Sequence, residues 1–177
     1  MSPHSSTPTS RLPRTLTAAL AAGLAGAAFA WGTQTGVAGP SEPPASAEPT
    51  RQHRVITSPD APAAIGPYSQ AIAAGNQLYL SGQLPIDPAT GQIPAGSRIE
   101  DQTRQVLKNL SAVLEANEMT LSHVVSTTVY LSDLDDFAAF NAAYAEFFPL
   151  APPARATIEV ARVPRDAKVE IAAIAIR

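Results

Sequence analysis

Ile99-Glu-Asp-Gln-Thr-Arg-Gln-Val-Leu-Lys-Asn-Leu-Ser-Ala-Val-Leu-Glu115, followed after a short break by Val124-Val-Ser-Thr-Thr-Val-Tyr-Leu131, contains the change of period that decides the fold. In the first stretch Ile99, Val106, Leu107, Leu110, Val113 and Leu114 recur at helical spacing, while Arg104, Gln105, Lys108 and Glu115 occupy the other side. This pattern predicts an amphipathic helix that ends near Asn117. The second stretch is rich in β-branched residues, whose stiff side chains suit a pleated surface, and reads as a strand.

Upstream, Tyr68 to Ala74 and Gln77 to Gly82 flank Gly75-Asn76, two turn-favouring residues that predict a hairpin. Leu84 to Ser97, with three prolines, Gly91 and Gly96, reads as a loop. Downstream, Asp133 to Asp136 offers capping oxygens to a second helix, in which Phe137, Phe140, Tyr144, Phe147 and Phe148 form one aromatic stripe, read as core. Pro149, Pro152 and Pro153 stop that helix. Two strands follow, Ala156 to Val163 and Val169 to Ile176, separated by Pro164-Arg165-Asp166. The order strand, strand, helix, strand, helix, strand, strand predicts an α+β domain with helices on one face of an antiparallel or mixed sheet.

In the penultimate strand Ile158 and Val160 alternate with Thr157 and Glu159, so Arg155 belongs to the more polar face, and the face away from the helices is left to be explained. The last strand is apolar on both faces, which argues that its second face is covered too, by other subunits.

Composition narrows the function. The net charge is -3 and the pI near 5.5, with no Lys/Arg cluster able to neutralise a row of phosphates, so nucleic acid is not the expected partner. There is no cysteine, hence no disulfide, thiolate nucleophile or Cys-based metal site. His4, His53 and His123 are far apart without ligand spacing, so no metal is expected. No Gly-rich phosphate loop precedes a helix, and no serine sits in a Gly-x-Ser-x-Gly elbow.

The first fifty residues stand apart from the folding unit, 51–177. Arg11 and Arg14 precede a weakly apolar run from Leu16 that ends in Ala28-Phe29-Ala30. This reads as a secretory signal peptide over 1–30, cut after Ala30 or, alternatively, after Ala47, with an uncleaved anchor or a tail as the other reading. The run is shorter and more Ala/Gly-rich than the ~20 strongly apolar residues a spanning helix needs, so no stable membrane span is expected after cleavage and the protein is expected in the periplasm or outside the cell. Residues 31–50, with Pro40, Pro43, Pro44 and Pro49 among Ala, Ser and Glu, read as an extended linker.

Five polar residues at strand ends or on helices remain: Tyr68, Ser81, Asn141, Arg155 and Glu170. Taken alone, Arg155 and Glu170 read as structural ion-pair partners, Asn141 as a solvated or capping residue and Tyr68 as an ordinary strand aromatic. Their surroundings change that reading. Ala61-Pro-Ala-Ala-Ile-Gly-Pro-Tyr-Ser-Gln70, Ser81-Gly-Gln-Leu-Pro85, Asp136-Phe-Ala-Ala-Phe-Asn141, Pro153-Ala-Arg155, Val160-Ala-Arg-Val-Pro164 and Val169-Glu-Ile171 resemble, in order and spacing, the RidA (YjgF-like) enamine/imine deaminase family, from about Thr57 to the end of the sequence.

The resemblance implies a chorismate-mutase-like mixed sheet with two helices on one face, a homotrimer, and a site in each cleft between subunits. It implies hydrolysis of short enamine or imine acids such as 2-aminoacrylate to 2-oxo acids and ammonia, with no cofactor. On this resemblance Arg155 receives the substrate carboxylate, Glu170 orients water and exchanges a proton, and Tyr68, Ser81, the Gly82 amide and Asn141 line the pocket. A guanidinium suits the first task because its planar fork grips a carboxylate bidentately. Thr157 stands where many relatives have cysteine, so a hydroxyl replaces a thiol in the expected pocket. Two alternatives are a catalytically silent module binding small carboxylates in the same cleft, and an endoribonuclease or translation inhibitor.

Overall fold

The structure is a computed structural model that describes residues 53–177. Six strands form one sheet in the order β1-β2-β3-β6-β4-β5. Their ranges are β1 His53–Ile56, β2 Ala71–Ala74, β3 Gln77–Gln83, β4 Val124–Leu131, β5 Ala154–Glu159 and β6 Val169–Ile176, with helices α1 Ile99–Glu115 and α2 Phe137–Ala145. The sheet is mixed, because β5 runs parallel to β4 whereas β6 pairs antiparallel with both β3 and β4. A parallel pair needs a crossover, and α2 supplies it.

The predicted hairpin is present, with Gly75 at φ +61° between β2 and β3. The left-handed region costs a glycine nothing. Helix α1 buries its expected stripe: Val106, Leu107, Val113 and Leu114 are inaccessible to solvent, and with Ile171 and Val129 they form the centre of the core. Fully burying a side chain of this size contributes about 1.5–3 kcal/mol.

Four boundaries differ from the expectation. β1 adds an edge strand that four residues without clear alternation did not announce. β2 begins at Ala71, which leaves Tyr68 in the preceding loop. β5 starts at Ala154 and stops at Glu159, where its partner β4 also ends: the Val160 N–H makes the last bond of the parallel ladder, to the Leu131 carbonyl at 2.9 Å. Finally, α2 ends at Ala145, so Phe147 and Phe148 lie beyond the helix. Phe140, Tyr144 and Phe148 are core, the Tyr144 ring lying 5.4 Å from Phe140 and 4.7 Å from Phe148. Phe137 is 40% exposed and is not core.

The register also corrects the side on which Arg155 lies. Arg155 pairs with Thr127 and Thr157 with Val129, and both partners are buried beneath the helices. Arg155 and Thr157 therefore project toward the helix side of the sheet, at its β5 edge. The alternates Ala156 and Ile158 join Tyr130, Glu170, Ile174 and Tyr79 on the open face.

Candidate active site

Two clefts hold the polar residues singled out from the sequence. The first, about 380 Å³, is lined by Ile65, Tyr68, Ser81, Gly82, Leu84, Pro164 and Glu170. Its floor is an irregularity in β3. Leu80 pairs with Ala173 but Gln83 pairs with Ile171, so Ser81 and Gly82 together oppose the single residue Ala172. A bulge of this kind re-aims side chains and bends its strand.

The cleft walls are fixed from behind. The Ser81 hydroxyl donates to the Ser69 carbonyl at 2.6 Å. The Tyr68 hydroxyl accepts from the Ile65 N–H at 3.3 Å, and the Tyr68 N–H donates to the Gly66 carbonyl at 2.9 Å, closing that loop on itself. Buried Gln70 accepts from the Ser58 N–H at 2.7 Å and donates to the Pro62 carbonyl at 2.8 Å, holding the approach to Tyr68. From α1, the Asn109 amide donates to the carbonyls of Leu84 and Ile86, each at 2.9 Å.

Glu170 is half-buried, and burial raises its carboxyl above the usual range because desolvation disfavours the charged form. Among the described residues no cation pairs with it.

The second cleft, about 460 Å³, is lined by Asn141, Tyr144, Ala145, Phe148, Pro152, Pro153 and Arg155. The Arg155 guanidinium lies 4.8 Å from the Tyr144 ring centroid, 5.3 Å from Phe140 and 5.8 Å from Phe137. Cations within about 6 Å of an aromatic face are attracted by its quadrupole. One amino group, Nη2, donates to Asn141 Oδ1 at 2.7 Å, and among the described residues no carboxylate pairs with Arg155. Below it, burial pushes the Tyr144 phenol up, opposed by its hydrogen bond with Thr127 and by the Arg155 charge.

The structure thus divides the expected set. Tyr68, Ser81, Gly82 and Glu170 share one cleft, Arg155 and Asn141 the other, and the two lie on opposite faces of one protomer's sheet. Thr157 lines neither; its hydroxyl is buried without a hydrogen-bond partner among the described residues. The walls Ile65, Leu84 and Pro164 and the rings beneath Arg155 were not predicted as site residues. Ile65, Leu84, Pro164, Phe137 and Phe140 do sit inside the motifs quoted above, which was the available signal. Among the described residues there is no group of three or more His, Cys, Asp or Glu placed to hold a metal ion, and no helix long and apolar enough to cross a membrane.

Residues 58–177 match the family described as Endoribonuclease L-PSP. The chain belongs to this family, the YjgF/RidA group. A RutC family protein of Pyrococcus horikoshii is 55% identical over 121 residues, which is 68% of this chain and 95% of that protein. The 2-iminobutanoate/2-iminopropanoate deaminase of Escherichia coli K12 is 46% identical over 127 residues, 70% of this chain and 98% of the relative. Among solved structures, the Escherichia coli YjgF gene product aligns with a TM-score of 0.67 at 46% identity, covering 70% of this chain and 98% of that one. Escherichia coli TdcF with bound serine aligns with the same TM-score at 40% identity, covering 70% and 98%. This RidA-family domain therefore has the fold the motifs implied, a mixed sheet with two helices on one face.

Proposed function

We propose that the protein hydrolyses short enamine and imine acids, of the 2-aminoacrylate type, to 2-oxo acids and ammonia. The observation that carries this reading is a pair of ionisable groups without ion-pair partners among the described residues: a guanidinium held on aromatic rings with no acid partner, and a half-buried carboxyl with no cation partner, each in a cleft. A structural ion-pair role would give each an oppositely charged neighbour within the protomer, and among the described residues neither has one. The deaminase of Escherichia coli at 46% identity supports the reaction class.

Arg155, steadied by Asn141 and the rings, receives the substrate carboxylate through its remaining N–H groups. A proton added to the β-carbon turns the enamine into the imine; Glu170 orients water toward the imine carbon and exchanges protons, and after water adds the C–N bond breaks and nitrogen leaves as ammonia. A carboxyl raised by burial holds its proton more firmly than a solvated one, which suits a group that must both carry and release it. Ser81 and Tyr68 shape the cleft around it.

Because the two charges occupy opposite faces of one sheet, a complete site requires Arg155 of one copy beside Glu170 of another, and the assembly proposed is a homotrimer. The test is complementation. Arg155→Ala and Glu170→Gln proteins are each expected to lose 2-oxo acid release from freshly generated 2-aminoacrylate, and their co-refolded mixture to regain part of it. Activity in either variant alone at the parental rate overturns the assignment. Binding of small carboxylates without turnover across an imine panel favours the silent-module reading instead, and RNA cleavage that vanishes with Arg155→Ala favours the ribonuclease one.

Export belongs to the same proposal. The signal over 1–30 and the linker over 31–50 lie outside the described residues, and what supports them is the Arg11/Arg14, apolar run and Ala28-Phe29-Ala30 sequence. Intact mass of exported protein lacking the first thirty residues is the expected result.

A further inference from the structure

Glycine recurs at turns in this chain, but Gly82 is of another kind. It sits within β3, and its backbone does not adopt the positive φ that Gly75, Gly91 and Gly96 share. Conformational freedom therefore does not explain it. Space does. A Cβ built on Gly82 would lie 1.8 Å from Glu170 Oε1, 2.7 Å from Cδ and 2.9 Å from Cγ. The carboxyl group fills the volume that any other residue's side chain would occupy. The register explains why they meet: the bulge sets Ser81 and Gly82 together against Ala172, bringing the Gly82 backbone to the Glu170 side chain two residues further back on β6.

We infer that Gly82 is a positioning residue for the proposed reaction, its missing side chain being the seat that holds the Glu170 carboxyl against the bulged backbone of β3. The inference rests on the role given to Glu170 under Proposed function, but makes a separate claim about what places that group. Because Cγ as well as the carboxyl is too close, relief cannot come from swinging the carboxylate alone; χ1 must turn together with the outer torsions, carrying the carboxyl out of its seat. The atoms that must move belong to a flexible side chain and not to backbone, so eviction leaves the fold intact while taking the acid from the water and proton it handles.

The experiment uses the full chain in Gly82→Ala, Glu170→Gln, Glu170→Ala and Gly82→Ala/Glu170→Ala forms, assayed for 2-oxo acid release from 2-aminoacrylate across a pH series. Gly82→Ala is expected to keep its circular dichroism and melting temperature, to lower kcat to the level of Glu170→Gln with little change in KM, and to lose the same limb of the pH profile. The double variant is expected to match Glu170→Ala alone, because a displaced acid and an absent one are equivalent. Multiplication of the two single losses in the double variant overturns the inference. So does parental kcat and an unchanged pH profile in Gly82→Ala beside an inactive Glu170→Gln. Should Gly82→Ala fail to fold, a folded double variant supports the steric relation and an unfolded one overturns it. Parental turnover in Glu170→Ala instead overturns the role of Glu170 in the proposed reaction.

Discussion

Arg155 shows how much one residue's neighbours decide. Its guanidinium is oriented by three rings and one amide, so the remaining N–H groups are presented as a fixed fork. Lysine at this position keeps the charge but offers no plane to stack and no second parallel bond. Arg155→Lys is expected to lower kcat/KM by roughly 10–100-fold, the equivalent of one charge-assisted hydrogen bond of about 1.5–3 kcal/mol. Steady-state kinetics on 2-aminoacrylate check this. Glu170 gives a prediction of the other kind, about pH. Burial raises its carboxyl in the folded protein, so the fold favours the protonated form. Its contribution to stability is therefore present below the carboxyl range of the unfolded chain and is lost as pH rises through the raised folded value. Glu170→Gln, which stays neutral, should melt higher than the parent at neutral pH, and the gap should close on acidification. An equal gap at every pH contradicts the assignment.

Among the elements, α1 does more than cover the sheet. Asn109 is 1% exposed, and its amide holds the carbonyls of Leu84 and Ile86, while its own oxygen accepts from Gln105 at 2.9 Å. Asn109→Ala leaves two carbonyls without these donors at the foot of the Glu170 cleft. The expected cost is about 2–6 kcal/mol, from two unsatisfied buried groups at about 1–3 kcal/mol each, read by urea unfolding, together with a raised KM as Leu84 loosens. This link was not legible in the sequence, where Asn109 lies within the helical pattern and its partners lie in a proline-rich loop. What was legible at this scale is what periodicity encodes: the α1 stripe, the β4 run, the Gly75 turn and the bounds of β6. The weaker points follow the same logic. β1 offers four residues and no clear alternation, and the end of β5 is set by its partner, since β4 stops at Leu131, which takes the last bond from Val160.

At the scale of the molecule, alternation in 155–159 shows that Arg155, Thr157 and Glu159 share a side, but not which side, since that depends on the β5 register against Thr127 and Val129. The candidate site was accordingly legible as a set of residues, through the motifs, and not as two halves facing opposite ways. The open face tells the remaining part. Val55, Tyr79, Ile158, Ile174 and Ile176 lie on it, each between 36% and 55% exposed in the single protomer. Covering this face in the proposed trimer links folding to association, and a species stabilised by its own copies gains stability by mass action. The melting temperature should therefore climb as the sample is concentrated; a value indifferent to dilution over two decades argues for a self-sufficient monomer. In the proposed trimer a greasy outer sheet thus turns abundance into a kind of thermostat setting: a scarce protein would be both less durable and, with its halves parted, idle.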